Sequence, residues 1–599
     1  MPRSRLIALL PSLTWLVPIS LSLAALGACA DRRTGEIVCM SSADCPGERV
    51  CVLGGSGEST GLCINPDEDH GAKPRPGPGL PLRTNKDVDI LFVIDNSGSM
   101  GEEQALLANN FGAFIQVLEA KGVEANYRIG VTTSDNGNPW CQTTTPEAGK
   151  LVASPCTTRL SDFLFGDTVD VQELACTDIC TATAAELEIL PTTTDVDPNP
   201  APRPWLERIE GKQNIPEGTS MAEAFACYGP QGVNGCGFES QLESMYLALA
   251  RAQTSDEDSY GFIRANAILA IVFVTDEADC SSNKDYSEIF LATGNKAFWS
   301  DPSAAFPTSA VCWNAGVECF GAPSGYDSCE AVNKDIHGNS GVGDSEAVLH
   351  PMSRYIGFLN GLEHNKWTFD ASQKIIVALI GGVTSQGAVW YGDSLTDSDF
   401  QNDFGIGPGC VADNPIDPET PITAVPPVRL REMVETFSPG NMFSICESDY
   451  SPALDEIARR IKDQIQPACY AQCVADTDAA TDIVEPDCVV QEHPPSTDPS
   501  VVIDECAKDP SGAYVIDPDT DDYAMPADDV NVCYAMRVDN SGQTPSTGDD
   551  MSIQCVDGNF NLEFAFARRP GFPAPSGAVI SATCSLAEFP ELTCPGIGG

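Results

Sequence analysis

The sequence predicts an α/β fold: a doubly wound, mainly parallel sheet with long disulfide-rich insertions, between a small Cys-rich N-terminal unit and a β-rich, Cys-rich C-terminal module. Three observations predict it. Nearly continuous apolar runs at 88–94 (VDILFVI), 267–275 (AILAIVFVT) and 374–383 (KIIVALIGGV) are what strands buried on both faces require. Stretches with apolar residues at helical spacing alternate with them. The 25 cysteines cluster outside these runs, as staples of irregular chain would.

The elements follow in order. Residues 1–28 begin with Arg3 and Arg5, continue as an uncharged apolar stretch, and end in Leu26-Gly27-Ala28 before Cys29. This is a secretory signal. The stretch is long enough to span a bilayer, but Pro11 and Pro18 interrupt it. The Leu26 to Cys29 segment resembles the bacterial lipobox, which implies that Cys29 becomes the lipidated N-terminus. Setting Cys29 aside leaves 24 cysteines, in even local groups. An oxidising compartment with up to about 12 disulfides accommodates them. Ala30 after Cys29 implies an outer-membrane destination.

Residues 29–66 hold Cys39, Cys45, Cys51 and Cys63, a unit too short for a core of its own without disulfides. Residues 67–85 are rich in Pro and Gly and read as a linker. The α/β domain is expected over 86–466. Its strands are 88–94, 127–133, 267–275, 374–383 and 441–446; its helices are 101–122, 239–252 and 452–465. Insertions rich in Cys, Pro, Gly and Asp are expected at about 136–235 and 280–370. Residues 467–599, with eight cysteines and short strand-like runs, form the C-terminal module. Local pairs such as Cys227–Cys236 and Cys410–Cys446 are expected, although spacing does not determine connectivity.

Composition narrows the function. There are 86 acidic and 33 basic residues, a net charge of −53, which disfavours nucleic acid as a partner. The five histidines, at 70, 337, 350, 364 and 493, are scattered, and none sits at zinc-ligand spacing beside a cysteine pair. No G-x-S-x-G elbow, H-E-x-x-H motif, P-loop or dinucleotide-binding glycine pattern is present. Binding rather than catalysis is therefore expected.

The informative motif is Asp95-Asn96-Ser97-Gly98-Ser99, directly after the first buried run. Ligands of open α/β sheets bind beyond the carboxyl ends of strands, and hard divalent cations take oxygen ligands. This D-x-S-x-S pattern resembles the metal site of von Willebrand factor A (vWA) and integrin I domains. The stretches 235–245 (GCGFESQLESM) and 274–281 (VTDEADCS) resemble those of Cys-rich vWA surface lipoproteins of myxobacterial type. The resemblance, over roughly 87–465, implies one Mg²⁺, Mn²⁺ or Ca²⁺ held by Asp95, Ser97, Ser99 and Asp276, with Glu277 and Asp279 as neighbours. It also implies a threonine ligand. Thr219, in Gly218-Thr219-Ser220-Met221-Ala222-Glu223-Ala224-Phe225, fits that pattern. The helix most like the family's partner helix starts only near Glu239, so a serine or a carboxylate such as Glu239 is the alternative. By the same resemblance, a protein partner supplies an acidic side chain to the metal. The second functional reading is a structural envelope lipoprotein with a vestigial metal site.

Overall fold

The computed structural model describes residues 38–39, 50–53, 61–64 and most of 75–588, with Pro590 and Cys594 beyond; its longer gaps are 83–85, 368–373, 414–420, 479–482, 494–498, 519–521, 540–546 and 573–578. The signal segment and Cys29 lie outside the described residues. The chain divides into two compact units. One comprises 1–72 with 589–599, and the other runs from Lys73 to Glu588. In the first, Val38–Cys39, Val50–Leu53 and Gly61–Ile64 form a three-stranded antiparallel sheet that sets Cys51 opposite Cys63.

The second unit is built on a seven-stranded, mainly parallel sheet. Its strands are β1 (Asp87–Ile94), β2 (Asn126–Thr133), β3 (Leu206–Ile209), β4 (Lys212–Gln213), β5 (Ile268–Val274), β6 (Ile376–Gly381) and β7 (Met442–Ser444). The spatial order is β4-β3-β2-β1-β5-β6-β7. β2, β1, β5, β6 and β7 are mutually parallel, whereas β3 and β4 form an antiparallel hairpin at one edge. β5 is buried at every residue, as a strand covered on both faces must be.

Helices cover both faces. On one, α1 (Gly101–Glu119), α2 (Met221–Tyr228) and a later helix at Ser451–Gln464 bury Val88, Ile90, Phe92 and Ile94. Phe111 of α1 stacks on Phe225 of α2 at 3.5 Å between ring centroids, and both pack on Phe92. On the other face, α3 (Gln241–Arg251), α4 (Met352–Trp367) and α5 (Val428–Phe437) cover Leu91, Val93, Leu269, Ile271 and Phe273.

The five expected strands and three expected helices are present, with ends shifted by a few residues. The differences lie in the insertions. The stretch expected as the first insertion contributes the β3–β4 hairpin and α2. The second expected insertion runs into α4, whose Tyr355 and Leu359 belong to the core.

The disulfides also differ from the expectation. Cys227 pairs with Cys180 and Cys236 with Cys141, while Cys156 pairs with Cys176. The first insertion is folded back across itself, so partners come from opposite ends of it. Cys410–Cys446 forms as expected, and every cysteine from Cys141 to Cys594 is disulfide-bonded.

The C-terminal residues form a second sheet, ordered Ala468–Cys469, Glu563–Arg568, Val532–Arg537, Val501–Glu505, Cys488–His493 and Val579–Leu586. The expected linker is partly strand: Arg75–Pro76 and Leu80–Leu82 pair with Val579–Leu586. Leu82 is buried, and the prolines are tolerated because this is an edge.

Candidate metal centre

After β1 the chain crosses to β2 on one side, and after β5 to β6 on the other. The crevice between the β1 and β5 ends is thus the switch point of the sheet, where departing loops separate. Asp95 leaves β1 there, its N–H donating to the Val274 carbonyl at 2.9 Å. Thr275 and Asp276 leave β5 beside it.

Asp95 is fully buried and held from both strand ends. Its Oδ1 accepts from the Ser97 N–H at 2.9 Å and from Ser134 Oγ at 3.2 Å. Its Oδ2 accepts from Thr275 Oγ1 at 2.5 Å. The Ser97 and Ser99 hydroxyl oxygens are 3.3 Å apart, and the Ser99 side chain favours the charged form of the Asp276 carboxylate. Four of the five expected ligands therefore converge: Asp95, Ser97, Ser99 and Asp276.

The neighbourhood is strongly acidic and buried. Glu103 in the first turn of α1, Glu239 before α3, and Glu277 after β5 are buried with Asp95 and Asp276. Burial, and then the Asp95 charge, pushes Asp276 up to about 7. Burial raises Asp95 too, against the hydrogen bonds from Thr275 and Ser97. Glu103 rises through burial and the Asp276 charge. Glu239 and Glu277 lie well above the usual carboxylate range, through burial first and neighbouring carboxylates second. Asp276 Oδ1, Glu103 Oε2 and Glu239 Oε1 are buried without a hydrogen-bond partner. Buried charges without partners are costly, and a hard cation with oxygen ligands would satisfy them. The donor set thus fits a divalent cation. Among the described residues, no three Asp, Glu, His or Cys side chains lie close enough to form a metal cluster alone. A cation here must also draw on the serine hydroxyls or water.

Asp279 is already satisfied. Arg429 Nε donates to it at 2.8 Å, Ser281 Oγ at 2.6 Å, and the Leu242 N–H in the first turn of α3 at 3.0 Å. It joins α3 and α5 beneath the crevice.

Thr219 is not brought to the cluster. It precedes the capping residue Ser220 at the start of α2, and its carbonyl accepts from Gln213 of β4 at 2.7 Å. β4 belongs to the hairpin that pairs beside Tyr127, near the start of β2. α2, about 12 Å long for its length in residues, separates Thr219 from Gln231 and Gly232. These are the residues whose N–H groups reach Gln104 near Asp95. The Gly-Thr pattern therefore marks a helix start at the wrong edge of the sheet.

The turn 235–240 occupies that place instead. Cys141–Cys236 anchors it, the Cys236 N–H donates to Asp135 Oδ2 at 3.2 Å, and the Gly235 N–H donates to the Asn96 carbonyl at 2.8 Å. A Cβ at Gly235 would collide with the Asn96 side chain, so the close approach requires glycine. Beyond the turn, Gln241 Nε2 donates to Thr275 Oγ1 at 2.8 Å. Phe165, 48% exposed, lies against Gly98 at the rim.

No protein-family model matches the chain, and no curated protein matches it in sequence. Among solved structures, it is similar to the pilus adhesin SpaC of Lactobacillus rhamnosus GG in its open conformation, at 10% identity and a TM-score of 0.26. It is also similar to a second form of SpaC, at 9% identity and TM-score 0.25, and to the pilus adhesin RrgA of Streptococcus pneumoniae, at 10% identity and TM-score 0.21. The similarity covers 84%, 84% and 86% of this chain, but 39%, 40% and 58% of those adhesins. These three solved structures are pilus adhesins, and they superpose only at very low TM-scores.

Proposed function

We propose that this is a surface lipoprotein whose central α/β domain is of the vWA type, binds one divalent cation, and uses it to hold a protein partner. One observation carries the reading. Asp95 and Asp276 leave adjacent central strands at the switch point, where Ser97, Ser99 and unpartnered carboxylate oxygens meet them. Ser97 and Ser99 would hold Mg²⁺, Mn²⁺ or Ca²⁺, with Asp95 and Asp276 contributing charge. When bound, the cation offers a Lewis-acidic position to an acidic side chain of the partner. Exposed Phe165, Trp140 and Phe306 offer apolar area nearby in the chain's stapled loops. The role is binding rather than catalysis, and Cys29 is the lipidated anchor to the outer membrane.

The test is calorimetric titration of metal-stripped protein with each cation, followed by partner capture with and without chelator. Wild type should bind one cation, and Asp95→Ala should lose both the metal and metal-dependent capture. No heat from wild type, with capture unchanged in Asp95→Ala, would leave a structural envelope lipoprotein with a vestigial site. Cys29→Ser should release the protein from the membrane fraction.

A further inference from the structure

The metal-binding reading leaves one ligand position without its expected threonine, and the turn that stands in its place carries a buried carboxylate, Glu239. Glu239 is 1% exposed, and its Oε1 has no hydrogen-bond partner. The peptide unit that follows it is held at both its carbonyl and its N–H. The Cys280 N–H donates to the Glu239 carbonyl at 2.6 Å, and the Ser240 N–H donates to the Ser134 carbonyl at 2.8 Å. Ser134 in turn donates to Asp95, and Gln241 donates to the threonine that donates to Asp95. Glu239 is thus followed in sequence by two residues, Ser240 and Gln241, that are each two hydrogen bonds from the central aspartate. The charges acting on it are those of Glu277, Asp95 and Asp276. A buried carboxylate with an unpartnered oxygen, under the charge of three others, would be satisfied by a cation.

We propose that Glu239 is a direct ligand of the cation at this site and that its carboxylate makes the site select Ca²⁺ over Mg²⁺. This rests on the metal-binding reading above. A carboxylate can bind Ca²⁺ through both oxygens, and Ca²⁺ accepts six to eight oxygen ligands in flexible geometry. Mg²⁺ demands near-ideal octahedral geometry and gives up water reluctantly. Glu239 also supplies from within the chain a charge that a hydroxyl ligand would leave to the partner.

The test is calorimetry of the full mature chain, stripped with EDTA and titrated with CaCl₂ or MgCl₂, for wild type, Glu239→Gln and Glu239→Thr. Wild type should bind Ca²⁺ at least about tenfold more tightly than Mg²⁺. Glu239→Gln should lose at least about tenfold in Ca²⁺ affinity, the scale of losses at metal sites. It should melt no lower than wild type in EDTA, because a repulsive charge has gone. Glu239→Thr restores a hydroxyl and should bring the two affinities together. Equal or tighter Mg²⁺ binding by wild type overturns the proposal. So does a folded Glu239→Gln or Glu239→Thr that keeps the wild-type Ca²⁺ affinity and preference. If wild type binds neither ion, the metal-binding reading itself fails, and this inference with it.

Discussion

Thr275 donates its hydroxyl hydrogen to Asp95 Oδ2 across the seam between the two central strands, at 2.5 Å. The Thr275 hydroxyl oxygen in turn accepts from Gln241 Nε2 and from the Glu277 N–H. One hydroxyl therefore ties the end of β5 to the end of β1 and to the start of α3. Thr275→Val keeps the volume and removes the donor, leaving a buried carboxylate oxygen short of a partner. Stability should fall by about 1–3 kcal/mol, read from urea denaturation in EDTA. An unchanged midpoint would show that the bridge is dispensable.

Asp276 gives the metal-free protein a pH signature. Its folded pKa, about 7, is above the ordinary 3.8, so the native state holds this proton where the unfolded chain has lost it. The stability it contributes is full below about pH 4 and is lost as pH rises through about 7. In EDTA, wild type should therefore lose stability relative to Asp276→Asn between pH 5 and pH 8. Saturating cation should offset that loss, adding about 2.7 kcal/mol at a hundredfold excess over Kd. A difference that is flat across this range would contradict the assignment.

Arg429 and Asp279 form a buried pair, with side chains 2% and 0% exposed. Arg429→Met strands the Asp279 charge between α3 and α5. A loss of about 3–5 kcal/mol is expected, as for other buried pairs deprived of one partner. Cation affinity should change far less than stability, because Asp279 is not among the converging ligands. A variant as stable as wild type would remove the pair from the account of the fold.

Non-reducing peptide mapping should recover Cys141–Cys236, Cys156–Cys176 and Cys180–Cys227 as linked peptides. A Cys227–Cys236 peptide would contradict the fold of the first insertion. Cys141→Ser with Cys236→Ser should cost about 2–5 kcal/mol. It should also weaken cation binding, because the turn carrying Glu239 loses its anchor.

The central strands were legible because burial on both faces leaves an unbroken apolar run, as at Ile268–Val274. Asp95, Ser97, Ser99 and Asp276 were legible for the same reason: each follows such a run directly. The β3–β4 hairpin was not. Its strands are short, and Glu207 interrupts one with a charge that Arg128, from another strand, neutralises at 3.0 Å. Thr219 failed because its local pattern marks a helix start without saying which edge of the sheet that helix begins from. Even cysteine counts said nothing about pairing, which the folding of each insertion decides. Pro and Gly at 67–85 read as a linker, yet the alternate leucines of Leu80-Pro81-Leu82 suit an edge strand.

That edge strand sets a load path. Leu80–Leu82 stands only a few residues before Asp87, the first residue of the central sheet, and its partner Val579–Leu586 is cross-linked by Cys584 to Cys488. Tension entering from the N-terminal side meets these hydrogen bonds before it reaches β1. The chain is thus tied to the C-terminal sheet before it enters the central one, so Leu80–Leu82 couples the two sheets at the entry to β1.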